Sequence, residues 1–336
     1  MTRILIINQN WMGDVLFSTP AIRAIRKKFP NAFISCLVPE RAADVLRHNP
    51  RLNEVLIYNE RASLVSFMEP LRVFGLLSKR QFDSVFMFHR SRSKSFLCKL
   101  AGIRTRIGYE RKGQKFLTQA VPLPPQPLHK TDYFLNLVEA AEIPADGRVP
   151  DFEVTQDEIE SLDKKLAGKG VARGENFIVI HPGGNWNLKR WPVAHFFRLL
   201  ELFFKQTPWK AVVCGARSEK GLADEIVARF SDGRAVSLSG ETSLGELAAL
   251  LKRARFLVSN DSGPIHLAAS QKTKILGLFG PTSRELTGPI SDGPVRILSK
   301  DVGCRVPCYF HDCDYRVCME LITPEEVFTA CRDWCC

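Results

Sequence analysis

Phe177-Ile-Val-Ile-His-Pro-Gly-Gly-Asn-Trp-Asn-Leu-Lys-Arg-Trp-Pro192 opens on a four-residue apolar run, turns through two glycines and stops just ahead of the helix-patterned residues 193–205. That is a strand, a turn and a helix, the βα unit from which parallel sheets are built. Downstream the pattern repeats, with strands predicted at 211–214, 256–259 and 274–279 and helices at 218–230, 243–253 and 264–270. Upstream it occurs as well: strands at 3–8, 32–38, 54–58 and 84–88, and helices at 14–29, 40–48, 69–79 and 131–142. Pro20 either kinks the first of these helices or marks its true first turn. The Pro-, Gly- and charge-bearing segment 143–150 reads as a linker, so the expectation is an α/β chain of two βα domains, 1–150 and 151–323, with a final helical segment at 324–336. Open sheets of this kind bind ligands at the carboxyl ends of their strands, which predicts a cleft between the two domains.

The charge is divided as the chain is. Its 336 residues carry 47 Lys plus Arg and 36 Asp plus Glu, a net of +11. Residues 1–150 hold 23 basic and 12 acidic residues, so the remaining 24 and 24 in residues 151–336 cancel and all the excess lies in the first domain. Such a field suits a polyanion: nucleic acid, an anionic membrane surface or a phosphorylated substrate. With 45% apolar residues the chain builds ordinary cores, which excludes a disordered or fibrous protein. No stretch is long and apolar enough to span a bilayer, and the run at residues 4–7 is too short for a secretory signal, so a cytoplasmic protein is expected.

Three loops could carry chemistry. The first, Asn8-Gln-Asn-Trp-Met-Gly-Asp14, lacks the G-x-G-x-x-G of dinucleotide binding and argues against a nicotinamide dehydrogenase. Its Asp14 reads either as a helix N-cap or as a general base. The second runs from His181 to Pro192, where Gly183, Gly184 and Asn185 make a bare-backbone turn that an anion could approach and Lys189 adds a point charge. The third, Ser259-Asn-Asp-Ser-Gly-Pro-Ile-His266, sets a hydroxyl and a glycine at a helix start, where free N–H groups favour a diphosphate. His266 reads as a ligand contact or as a core histidine. Gly280-Pro-Thr282 and Thr287-Gly-Pro289 could close the same pocket.

Gly13-Asp14 with Thr19-Pro20, His181-Pro-Gly183 with Lys189-Arg-Trp-Pro192, and Asp261-Ser-Gly-Pro-Ile-His266 followed by Phe279-Gly-Pro-Thr282 together resemble the lipopolysaccharide heptosyltransferases of glycosyltransferase family 9, heptosyltransferase II above all. The resemblance covers about residues 3–330, and it implies a GT-B fold, two Rossmann-like domains facing across a cleft, and inverting transfer from ADP-heptose. In its terms Asp14 is the catalytic base and Lys189 contacts the donor phosphate and sugar. Gly183, Gly184 and Asn185 flank that lysine, Ser262, Gly263 and His266 hold the pyrophosphate, and Asp261 faces the sugar hydroxyls. Glu219 would bind the ribose, and Thr242, Ser243 and Leu244 the adenine edge. Arg90, Arg92, Lys94, Arg111 and Lys112 would take the anionic lipid-linked saccharide acceptor, with electrostatic contact to the cytoplasmic face of the inner membrane. No cofactor, metal or nucleic acid is expected. In this fold the last helix commonly crosses back to the first domain.

Ten cysteines remain, three of them (Cys36, Cys98, Cys214) in strand or helix contexts that predict buried thiols. Cys304-x3-Cys308-x4-Cys313-x4-Cys318 is regular enough to raise a thiolate metal site, but it lacks a C-x2-C knuckle, and no metal is expected there. Asp312-Cys-Asp314 imitates a D-x-D metal motif outside any βα loop, which reads as coincidence. Two rival functions remain: a nucleotide-sugar epimerase of the same fold, and a nucleic-acid binder using residues 79–130, whose Phe82, Phe86, Phe88, Phe96 and Tyr109 fall mostly at core spacing.

Overall fold

The computed structural model describes residues 1–59, 64–111, 115–308, 313 and 315–335, with the side chains of 64–67 excepted. It divides into two compact units, Met1–Glu153 and Val154–Cys336. Unit 1 is a six-stranded parallel sheet of β1 (Arg3–Ile7), β2 (Phe33–Pro39), β3 (Glu54–Tyr58), β4 (Ser84–Met87), β5 (Thr105–Tyr109) and β6 (Gln119–Val121), in the order β3-β2-β1-β4-β5-β6. Ile4 of the central β1 pairs with Ile34 on one side and Ser84 on the other. A strand flanked on both edges and covered on both faces must be apolar throughout, and Leu5, Ile6 and Ile7 are fully buried.

The helix expected over 14–29 is two helices, Met12–Phe17 and Thr19–Lys28. The chain breaks at Ser18, whose hydroxyl donates to Val15 O and accepts from Asn8 Nδ2 at 2.8 Å. Pro20 therefore falls in the first turn of the second helix, where its missing N–H costs nothing. Of the helix expected over 40–48, only Glu40–Ala43 forms, whereas the one expected over 69–79 is longer, Leu64–Arg80. Residues 143–151 are held against unit 1: Arg23 donates to Asp146 O, Val149 O and the Asp151 carboxylate.

Unit 2 has the same topology, with β7 (Phe177–His181), β8 (Lys210–Val213), β9 (Ala235–Ser237), β10 (Leu257–Asn260), β11 (Ile275–Phe279) and β12 (Val295–Ser299) in the order β12-β11-β10-β7-β8-β9. Its core joins Ile180, Phe196, Phe203 and Phe256 to Val327, Cys331 and Trp334. The last helical segment packs into this core. The helix Pro324–Cys331 lies on the helix Val193–Gln206 of its own unit, and Trp191 Nε1 donates to Ile322 O at 2.8 Å, because Val327 and Trp334 find their apolar partners there. Among the described residues no helix is long and apolar enough to cross a membrane.

Candidate functional site

In each sheet the strand order reverses beside the first strand of the unit, between β1 and β4 in unit 1 and between β7 and β10 in unit 2. Loops leaving such a pair diverge and open a crevice at the carboxyl ends of the strands. The three loops singled out in the sequence leave β1, β7 and β10.

In unit 2, Asn260 binds two of these loops together. Fully buried, its Nδ2 donates to Pro182 O and Gly183 O at 2.9 Å each, and its Oδ1 accepts from Trp191 N at 3.0 Å. Sequence reasoning gave Asn260 no role, since a lone amide after a strand carries no signal until its partners are known. Lys189 ends a short 3-10 turn, Asn187–Lys189, and its Nζ lies 3.0 Å from Asp261 Oδ2; Asp261 is almost fully buried. His266 Nε2 stands 4.0 Å from the other Asp261 oxygen. Ser262 precedes the helix Gly263–Ser270 but does not cap it, its hydroxyl lying instead 3.0 Å from His181 Nδ1. The helix opens on an exposed Gly263 without a side-chain cap, an arrangement that suits an anion. Lys189, Asp261, Ser262, Gly263 and His266 are thus brought to one place.

Glu219 is a buried hub. Its Oε1 accepts from Gly184 N at 2.6 Å, its Oε2 accepts from Ala216 N at 2.7 Å, and Oε2 also lies 3.4 Å from His181 Nε2. Burial works against ionisation, but His181 and the two backbone N–H groups outweigh it and hold the carboxyl down at about 2. The carboxylate expected on a ribose thus supports the Gly183-Gly184 turn. Arg190 grips the same turn through Gly184 O, while Asn185 is exposed. Thr242, Ser243 and Leu244 lie at the start of the helix Leu244–Arg253, where Ser243 caps through a reciprocal pair with Glu246.

In unit 1, Asp14 lies within the helix Met12–Phe17 and is not its N-cap, a position held by Trp11. The carboxylate is a quarter exposed, with Lys130 Nζ 3.8 Å from Oδ1. Burial raises it above its ordinary value, and Lys130 pulls it back in part. Of the expected acceptor cations, Arg90 donates to Glu110 O and Arg111 to Arg90 O, which gathers them beyond β4 and β5. The Lys94 amine lies 3.9 Å over the Tyr58 ring and is bonded to its hydroxyl. Arg92 opens the helix Arg92–Leu100, and Lys112 lies outside the described residues. His89, which the sequence did not point to, sits among these cations; burial, with Lys94 and Arg111, lowers its imidazole to about 4.

Gly280, Pro281 and Thr282 line a different space, a cavity of about 490 Å³ beyond β11 and β12 that Leu188 also borders. Cys304, Cys308, Cys313 and Cys318 all stand on its wall as free thiols. Among the described residues no three His, Cys, Asp or Glu side chains are grouped as metal ligands. Asp312 and Asp314 lie outside the described residues. Cys36, Cys98 and Cys214 are buried free thiols, as expected, and burial pushes Cys36 and Cys98 up to about 12.

Residues 71–312 match the family model described as glycosyltransferase family 9 (heptosyltransferase). The lipooligosaccharide heptosyltransferase 2 of Haemophilus ducreyi is 26% identical over 314 residues, 90% of each chain. The lipopolysaccharide heptosyltransferase 2 of Escherichia coli is 23% identical over 302 residues, 86% of each. Among solved structures, the Escherichia coli ADP-heptose lipopolysaccharide heptosyltransferase II aligns over 99% of this chain and 98% of that one, with a TM-score of 0.82 and 22% identity. A family 9 glycosyltransferase of Veillonella parvula aligns over 99% and 97%, with a TM-score of 0.87 and 21% identity. These likenesses give the GT-B fold, as two parallel six-stranded α/β sheets require. Taken with the match over residues 71–312, they make the chain a glycosyltransferase, and it belongs to glycosyltransferase family 9, the heptosyltransferases.

Proposed function

We propose that the chain transfers a heptose from ADP-heptose to an anionic lipopolysaccharide inner-core acceptor with inversion at the anomeric carbon. Asp14 takes the proton of the acceptor hydroxyl as its oxygen bonds to that carbon. The bond from the carbon to the diphosphate breaks, and the electron pair leaves on ADP. Two negative charges grow on the departing group, so the site must offer positive potential without reorganising. The observation that carries this reading is the Lys189–Asp261 pair beside the uncapped opening of the helix Gly263–Ser270: a fixed ammonium and a helix N-terminus for the diphosphate, and a carboxylate for sugar hydroxyls. The raised carboxyl of Asp14 fits a base, since a carboxylate at its ordinary value accepts protons poorly.

The named relatives supply the sugar and the acceptor class. Neither a metal nor a cofactor is needed by this chemistry, and the basic residues 1–150 suit an anionic acceptor presented at the cytoplasmic face of the inner membrane, where a cytoplasmic enzyme would meet it. The test is a transfer assay with a panel of nucleotide sugars and purified core lipids. Heptosylated product from ADP-heptose alone is the expected result. Sugar isomerisation without acceptor would replace the reading with an epimerase, and salt-steep binding of generic RNA without nucleotide-sugar affinity would replace it with a nucleic-acid binder.

A further inference from the structure

Trp11 is 59% exposed and Met12 43%, at the carboxyl end of β1, in the loop that leads into the helix of Asp14. An indole left in water forgoes the gain of burial, so its setting needs a reason. The setting is a built one. The Arg41 guanidinium lies 4.1 Å from the indole centroid, and its Nε donates to Asn10 O at 2.9 Å. Asn10 is held from the other side, its Oδ1 accepting from Tyr58 OH at 2.8 Å. Trp11 O accepts from Val15 N at 2.9 Å, which fixes the residue to the helix that follows. Arg41 lies over the ring, and an exposure of 59% still leaves ring surface open to a ligand.

We infer that this open ring surface is the stacking platform for the acceptor's own sugar ring, the ring that bears the attacking hydroxyl. The inference rests on the function proposed above. A pyranose has one face of C–H groups made slightly positive by the neighbouring oxygens, and the face of an indole is slightly negative, so the two stack with little demand for further polar contacts. Trp11 stands three positions before Asp14, about 4.5 Å along a helix axis. A ring lying on Trp11 therefore has its edge within reach of the carboxylate that takes its proton. Arg41 and the two bonds at Asn10 hold the indole still before the sugar arrives, so little freedom is lost on binding. Trp11 is a positioning residue in this account, and it acts on the acceptor.

The test uses the full chain with ADP-heptose and an O-deacylated inner-core oligosaccharide, which cannot insert in a membrane. Trp11→Ala is expected to raise the acceptor KM about tenfold, as loss of a central aromatic contact does, with the donor KM unmoved and kcat changed far less. Trp11→Phe keeps a ring and should recover most of the affinity, and Arg41→Ala should fall between. Titrating the oligosaccharide into the wild-type protein should change its tryptophan fluorescence, a response that Trp11→Phe lacks. This titration needs no turnover, so it decides the inference even if Trp11→Ala folds poorly. An unchanged acceptor KM with an unchanged fluorescence response would overturn it. So would an equal loss for donor and acceptor, or a loss seen only with acylated acceptor in vesicles, which would mark Trp11 as a membrane contact. A wild-type protein that binds the oligosaccharide through Trp11 but transfers no heptose would sink the functional reading and leave the platform standing.

Discussion

A Cβ placed on Gly183 would stand 2.1 Å from Glu219 Oε1. The carboxylate lies directly against the backbone of the turn it supports, and three partners prevent it from swinging aside: Gly184 N, Ala216 N and His181. Gly183→Ala must therefore break hydrogen bonds to a charged group, at a cost of at least about 2 kcal/mol. The measurement is a double-mutant cycle in chemical denaturation. Gly183→Ala should cost far less in a Glu219→Ala background, where the methyl has room, and strictly additive costs would remove the contact from the explanation.

The depressed carboxyl of Glu219 makes a pH prediction with a definite sign. An unfolded glutamate titrates near 4.5 and the folded one at about 2, so between those values the unfolded chain takes up a proton that the folded chain does not. The contribution to stability is complete well above pH 4.5 and is lost as pH falls through 2, and it amounts to about 3 kcal/mol. Wild type and Glu219→Gln, unfolded in urea at pH 6 and at pH 3, should differ by less at the lower pH. A gap that widens on acidification would contradict the geometry.

Asp14→Asn should lower kcat by about 10²–10⁴-fold, the usual worth of a general base, while ADP-heptose binding stays close to wild type. Because burial raises the Asp14 carboxyl and Lys130 lowers it, Lys130→Met should raise it further. The acidic limb of the kcat/KM profile should then move to higher pH, with the plateau little altered. A limb that stays in place would show that Lys130 does not act on this carboxylate, and an Asp14→Asn enzyme at full speed would remove the residue from the mechanism.

Lys189→Ala should reduce kcat/KM about 10²-fold, and it also strips the ammonium from a nearly buried Asp261. The two effects can be separated. Lys189→Met combined with Asp261→Asn leaves no unpaired charge, so it should regain much of the lost stability and none of the activity. Recovery of activity along with stability would make the pair structural.

How much of this could be read from the residues follows from where each signal resides. β1 and β7 lie in the middle of their sheets, so their apolar runs are unbroken and legible. β6 (Gln119–Val121) and β9 (Ala235–Ser237) are three-residue edge strands, and the edge strand β12 is only half-buried, so none of them offers such a run. The break at Ser18 was half legible: Pro20 announced a kink or a first turn, and Asn8, ten residues from Ser18, fixes where the chain breaks. Lys189, Asp261 and Ser262 were legible as a cluster because helix starts and glycine turns announce themselves locally. The support that Glu219 gives the Gly183-Gly184 turn and the cationic setting of His89 were not legible, since both depend on partners brought near only by the fold.

Trp334 gives the sharpest test of the fold itself. It is 4% exposed, packs 5.7 Å from the Phe256 ring and lies under the Arg296 guanidinium at 4.5 Å, all within unit 2. If the C-terminal segment completes that core, Trp334→Ala should destabilise unit 2 by about 3–5 kcal/mol, the range for a large buried aromatic. The prediction concerns unit 2, and unit 1 should keep its own unfolding midpoint. Hydrogen exchange read by peptide would show protection lost along β10 and β12 and along the helix Val193–Gln206, with β1 and β2 unchanged. Equal loss in both units would mean that the segment is shared between them, as the family resemblance first suggested, and would return the last helix to the first domain.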